Sequence, residues 1–234
     1  VNFIVTLFLT DSAIIYYVRL EVDYMSSLNR QSLGEEIANA VSHGIGALLA
    51  VLGTVVLIVY ASYNSSVSGI VSAAIYGFCL IFLYLMSTIY HAITNSTAIF
   101  QVLDHCSIFL LILGSYVPIC IVLLPPELGW KLLGINLLLT VVGITLNAIS
   151  LSRWEKLSLL MYVLMGWSVI IALPYLWKML PADGLMLLVS GGLAYTIGIF
   201  FYADKKHKFM HSVWHLFVMT GSVLHYFLVL YFIL

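Results

Sequence analysis

Met210-His211-Ser212-Val213-Trp214-His215 sets two imidazoles four residues apart. On a helix both rings leave the same face, the arrangement of a chelating pair. From Phe209 to Leu234 the chain is otherwise almost wholly apolar, and a polar ring at membrane depth is costly unless it meets a partner, water or a metal. His91 closes an earlier apolar run, Val67 to Tyr90. Three neutral imidazoles that reach one point form the ligand set that holds a catalytic zinc with its fourth position open to water. Such a set beside a carboxylate also accepts iron or manganese, so Zn2+ is the expectation from ligand type and not the sole solution. The stretch differs from the HExxH of zinc proteases, because Ser212 stands where those enzymes carry their glutamate base. A base must come from elsewhere. Asp104 is the carboxylate that falls both on an apolar span and at the level of these rings, suited to take a proton from an activated water or to hold that water. Ser87 lies one turn from His91 and would support a ligand ring, the water or a substrate carbonyl, the ring being the preferred partner.

These residues belong to a chain whose composition excludes most other classes. Of 234 residues, 63% are hydrophobic and 8% charged, against about 25% charged in soluble domains. This predicts an all-α polytopic membrane protein. Net charge is -1 and no basic patch is interleaved with aromatics outside the loops, so no nucleic-acid partner is expected. Cys79, Cys106 and Cys120 have no CxxC spacing and read as small apolar residues inside helices.

Seven apolar runs are long enough to cross about 30 Å of hydrocarbon: Gly44 to Ala61, Val67 to Tyr90, Val102 to Leu124, Leu132 to Leu151, Leu157 to Trp177, Leu185 to Tyr202 and Phe209 to Leu234. Short connections such as Asn64-Ser65-Ser66 and Pro181-Ala182-Asp183-Gly184 imply that each span lies beside the next. Gly46, Ala50 and Gly53 on the first span, and Gly191, Gly192 and Gly198 on the sixth, offer surfaces for close contact. Pro118 should kink the third span and Pro174 the fifth. Ser32-Leu33-Gly34-Glu35 has the form of a capping box and opens the first helix. Residues 1–32 read as an extension of interfacial character: Val18 to Tyr24 alternates like an exposed strand, and the stretch has neither the basic region nor the cleavage site of a signal peptide. Residues 33–234 form the transmembrane domain.

Counting cations sets the expected orientation. Arg19, Arg30, Arg153, Lys156, Lys205, Lys206 and Lys208 fall on one side and Lys131 and Lys178 on the other. Seven against two puts the segment entering the first span in the cytoplasm and the carboxyl terminus outside. His43, His91, His105, His211 and His215 then all sit at cytoplasmic span ends, with Asp104 at the same level. Any one of them alone is an ordinary interfacial side chain. His207 reads as a solvated loop residue, and His225, alone in mid-helix, as a packed or hydrogen-bonded ring.

Three segments together resemble the progestin and adipoQ receptor family and its bacterial haemolysin III branch: Glu36-Ile37-Ala38-Asn39-Ala40-Val41-Ser42-His43, then Ser87-Thr88-Ile89-Tyr90-His91 followed by Asp104-His105, then His211-Ser212-Val213-Trp214-His215. The resemblance runs from Leu33 to Leu234. It implies a seven-helix bundle with zinc on His91, His211 and His215, and with Asp104 and Ser87 close to the metal's water. It also implies that Glu36, Asn39 and His43 close the rim and bond to the metal-site residues without being ligands. Similar eukaryotic proteins look like ceramidase-type amidases or receptors coupled to that activity, and the wider superfamily includes alkaline ceramidases. The bacterial members take their name from red-cell lysis and are also linked to membrane state.

Three functions therefore stand side by side. The first is a zinc-dependent hydrolase of N-acyl lipids such as ceramide, acting at the cell membrane. The second is a membrane-homeostasis sensor whose zinc is a structural clasp. The third is a lytic pore former, disfavoured because spans four to six offer only scattered Asn136, Thr140, Thr145, Asn147 and Thr196. Membrane lipids are the expected partners, and the sequence leaves the oligomeric state open.

Overall fold

The structure, a computed structural model, describes residues 31–93 and 98–234. The expected amino-terminal extension, with Arg19 and Arg30, falls outside the described residues except for its last two positions. Eight α-helices follow in order: α1 (Leu33–Asn64), α2 (Val67–Ala92), α3 (Ala98–Pro118), α4 (Pro126–Ile149), α5 (Leu151–Trp167), α6 (Leu173–Met179), α7 (Ala182–Ala203) and α8 (Met210–Phe232). A π-turn, Ile119–Leu123, continues α3, and a 3-10 turn, Ser168–Ala172, joins α5 to α6. Among the described residues this makes seven crossings, with α5 and α6 sharing the fifth. The 22 residues of α7 rise about 33 Å, enough for the hydrocarbon core.

The first helix starts where its sequence dictates. The Glu35 carboxylate accepts from the Ser32 N–H at 2.9 Å and from the Ser32 hydroxyl at 2.6 Å, which satisfies a donor that the helix itself leaves unpaired. The same carboxylate accepts from the Phe209 N–H at 2.8 Å, so the start of α1 is tied to the start of α8. Phe209 has φ 64, a left-handed conformation that a bulky residue adopts only where its surroundings hold it.

Both prolines break their crossings as the sequence predicts. Pro118 ends α3, and the π-turn that follows brings the Cys120 carbonyl onto Gly129 so closely that a Cβ there would collide with it. Pro174 sits in the first turn of α6, behind the 3-10 turn. The carbonyls of Met165 and Gly166, at the broken end of α5, lie 2.7 and 2.8 Å from the Tyr116 hydroxyl, which also accepts from the Val169 N–H at 2.8 Å. The break thus has its hydrogen-bond partners inside the bundle, as lipid-depth backbone requires.

Neighbouring crossings pack against one another from the first to the fifth, and the seventh packs on both the sixth and the first. The fifth and sixth depart from the expectation that every span adjoins the next. They barely touch, because an apolar cavity lies between them, lined by Tyr162 and Trp167 on one side and Gly192, Tyr195 and Thr196 on the other. The glycine surfaces serve aromatic rings more than backbones. A Cβ at Gly46 would stand 2.7 Å from the Tyr84 ring, and one at Gly53 would stand 2.9 Å from Tyr226. Cys79, Cys106 and Cys120 are free and buried, as expected of small apolar residues.

Candidate metal centre

His91 lies on the last turn of α2, while His211 and His215 occupy the first two turns of α8. One nitrogen from each ring comes within 4.8 Å of the others. Ring centroids stand 5.2 Å apart for His91 and His211, 5.2 Å for His91 and His215, and 4.7 Å for His211 and His215. His91 and His215 are buried.

The first three turns of α1 orient two of these rings. His91 Nδ1 lies 2.7 Å from Glu36 Oε2, and since an ionised carboxylate only accepts, this nitrogen carries the proton. Its Nε2 lone pair then faces inward, and that buried atom has no hydrogen-bond partner among the described residues. An orphaned buried imidazole nitrogen is a cost that a cation removes. His215 Nδ1 lies 3.2 Å from the Ser42 hydroxyl, whose own proton goes to the Asn39 carbonyl at 2.9 Å. The ring therefore donates to Ser42 and turns Nε2 inward as well. Three imidazoles with two rings held in the metal-facing tautomer fit a zinc ion by donor type and by support.

Asn39 is fully buried and ties α1 to α8. Its Oδ1 accepts from Ser212 at 2.5 Å, and its Nδ2 donates to Gln31 Oε1 at 2.5 Å. His43 is also buried and stacks on His215, with centroids 3.5 Å apart and planes 9° from parallel. Glu36, Asn39 and His43 thus contact the triad or its helix and are not among the three clustered histidines.

Asp104 and Ser87 line a small chamber together with His43, His105, His211 and His215. Ser87 faces this chamber and bonds to none of the three rings, unlike its preferred sequence reading; His91 already has Glu36 as its support. Asp104 also lines a larger polar vestibule of about 170 Å³, shared with Glu36, His91 and His211. On the other side the chamber shares Leu83, Ile108, Trp214 and Val218 with the apolar cavity between the fifth and sixth crossings. A polar mouth, the triad and an apolar pocket therefore adjoin one another and share walls. His207 is exposed on its loop, and His225 is held by the Leu188 carbonyl at 3.1 Å, as expected of a loop residue and a hydrogen-bonded ring.

Sequence reasoning missed Ser42, Ser212 and Gln31. Ser42 lies three residues from Asn39, close to its face, and Ser212 directly follows His211 of the triad. Those spacings were the available signal, but a serine's partner on another helix is not written in its own segment. Tyr202, Glu155 and Lys205 were missed likewise. The Tyr202 hydroxyl donates to Glu155 at 3.0 Å, and Lys205 lies 3.9 Å above the Tyr202 ring, forming one wall of the vestibule.

A family profile described as haemolysin-III related matches residues 31–226. Hemolysin-3 of Bacillus cereus is 40% identical over 206 residues, covering 87% of this chain and 94% of that protein. The Hemolysin-3 homolog of Bacillus subtilis (strain 168) is 40% identical over 203 residues, covering 86% and 95%. Monocyte to macrophage differentiation factor of Homo sapiens is 27% identical over 201 residues, covering 82% of each chain. No solved structure matches.

Proposed function

This chain belongs to the haemolysin-III related family of multi-pass membrane proteins, and from that premise we propose that it is a zinc-dependent intramembrane hydrolase of lipid amides. The observation that carries this reading is the convergence of His91, His211 and His215 between a polar vestibule and an apolar cavity. His91, His211 and His215 would hold the ion, with Glu36 and Ser42 fixing the first and last of these rings. A zinc ion so held supplies Lewis acidity toward a carbonyl and lowers the pKa of water toward about 7.

The chain's own groups do the rest. Asp104, open to both the chamber and the vestibule, takes the proton of the attacking water and passes it to the departing amine. Ser87 donates a hydrogen bond inside the chamber, to the water or to the amide carbonyl. The apolar cavity receives an acyl chain, which keeps the amide at the chamber while the head group stays in the vestibule. N-acyl lipids of the ceramide type have that shape.

The cation bias further supports the triad end facing the cytoplasm, since Arg153, Lys156, Lys205, Lys206 and Lys208 lie there and Lys131 and Lys178 lie at the other end. A pore reading, suggested by the name of the Bacillus relatives, lacks a water-facing stripe among the described residues. Asn136, Thr140 and Asn147 are buried in helix packing, and Thr145 and Thr196 donate to carbonyls of their own helices.

Metal analysis of the purified protein and of His211→Ala, paired with release of fatty acid from N-acyl lipids, tests the proposal. Stoichiometric zinc in the wild type, its loss in the variant, and zinc-dependent fatty-acid release are expected. Zinc binding without turnover on any N-acyl lipid leaves a structural clasp, and dye leakage from liposomes that survives zinc removal favours a lytic protein.

A further inference from the structure

The loop between α7 and α8, Asp204 to Phe209, carries Lys205, Lys206 and Lys208 and borders a groove of about 240 Å³ beside the metal site. Two carboxylates also border it, and both accept hydrogen bonds from the surrounding chain. Asp204 accepts from the Lys206 and His207 N–H groups at 2.9 and 3.2 Å and pairs with His207 Nδ1 at 2.7 Å. Glu35 accepts from Ser32 and from the Phe209 N–H. The ammonium groups are not matched in the same way. Lys206 and Lys208 are exposed and form no ion pair among the described residues, and Lys205 reaches Glu155 only at 3.9 Å. Three ammonium groups therefore border the groove against two carboxylates, Glu35 and Asp204, and leave it cationic in balance.

Its position selects the anion. The groove lies at the end of α7 and the start of α8, two apolar crossings, which puts it at the depth of lipid phosphates. A lysine ammonium is a compact point charge that suits a phosphate oxygen. We propose that this groove binds the phosphate of an anionic membrane lipid, a phosphatidylglycerol-type head group, through Lys206 and Lys208 with Lys205 at its inner wall. Lys205, Tyr202, Gln31 and His211 border both this groove and the vestibule, so the bound lipid sits one wall away from the candidate metal centre. The site stands whether or not the protein is a hydrolase.

The test uses the full chain reconstituted in phosphatidylcholine bilayers with a spin-labelled lipid, phosphatidylglycerol or phosphatidylcholine, and reads the motionally restricted fraction. Each lysine near a membrane surface favours an anionic lipid by about fivefold. Wild type should thus prefer phosphatidylglycerol by about fivefold or more, and Lys206→Gln/Lys208→Gln should approach parity. Raising salt from about 0.1 to about 1 M, which shortens the screening length from about 10 to about 3 Å, should erase most of the preference. Arg153→Gln/Lys156→Gln, at the same end but outside the groove, should keep it. Equal association of both lipids with the wild type overturns the proposal, as does an equal loss in the Arg153/Lys156 variant, which would mean general surface charge. Lysine-dependent binding of inorganic phosphate with no lipid preference would assign the groove to a free anion and overturn the lipid assignment.

Discussion

Glu36 and Ser42 determine which nitrogen of His91 and of His215 faces the centre of the triad. A carboxylate partner fixes the tautomer and makes the ring a better ligand, and losing such support typically lowers metal affinity about 10–100-fold. Glu36→Gln should therefore weaken zinc binding by that factor in competition with a chromogenic chelator. Unchanged affinity would show that the Glu36 contact does not support a ligand. Asp104 has a different task, because it borders the chamber without belonging to the three-histidine cluster. Asp104→Ala should keep its zinc while fatty-acid release from N-acyl lipids falls about 10²–10⁴-fold. Normal turnover in that variant would remove Asp104 from the proton path.

At the scale of elements, the helices that carry the site are held by bonds near their ends and breaks. Tyr116 meets the carbonyls freed where α5 ends. Tyr116→Phe leaves them without that partner at membrane depth, so it should destabilise the protein by about 1–3 kcal/mol, read as an earlier midpoint in denaturing-detergent titration. The α7–α8 loop is held through Asp204, whose carboxyl is kept below its ordinary value by hydrogen bonds from His207 and the Lys206 N–H. Stability from a depressed carboxyl is present above its unfolded pKa and lost as pH falls through the folded one. Amide protection at Lys206 and His207 should accordingly persist at neutral pH and fade only below the ordinary carboxylate range, about pH 4. Hydrogen exchange measured across that range checks the sign.

For the whole molecule, the triad links the second crossing to the seventh, and α1 bridges both through Glu36 and Asn39. A ligand that binds only the folded state stabilises it by about 2.7 kcal/mol at a hundredfold excess over its Kd. Chelation should lower the melting temperature of the wild type and leave that of His91→Ala/His211→Ala nearly unchanged. A wild type insensitive to chelation would mean that no metal ties these crossings. The loose fifth–sixth contact contrasts with that tight end and leaves room for the apolar cavity between the two crossings.

The number of crossings, their breaks at Pro118 and Pro174, the cap at Ser32 and the histidine pair on one face of α8 are local matters, set by hydrophobic run length, ring sterics and helical period, and the sequence alone determined them. That His91 belongs with this pair was legible as well, through span ends falling at one level and the likeness of three short segments. The tertiary structure alone decided the partners: Glu36 against His91, Ser42 against His215, Ser212 against Asn39, Ser87 turned to the chamber, and a cavity where the fifth and sixth crossings were expected to touch. The physical reason is that composition and period fix which face of a helix is polar, whereas the rotation and depth at which two faces meet depend on the packing of every helix between them.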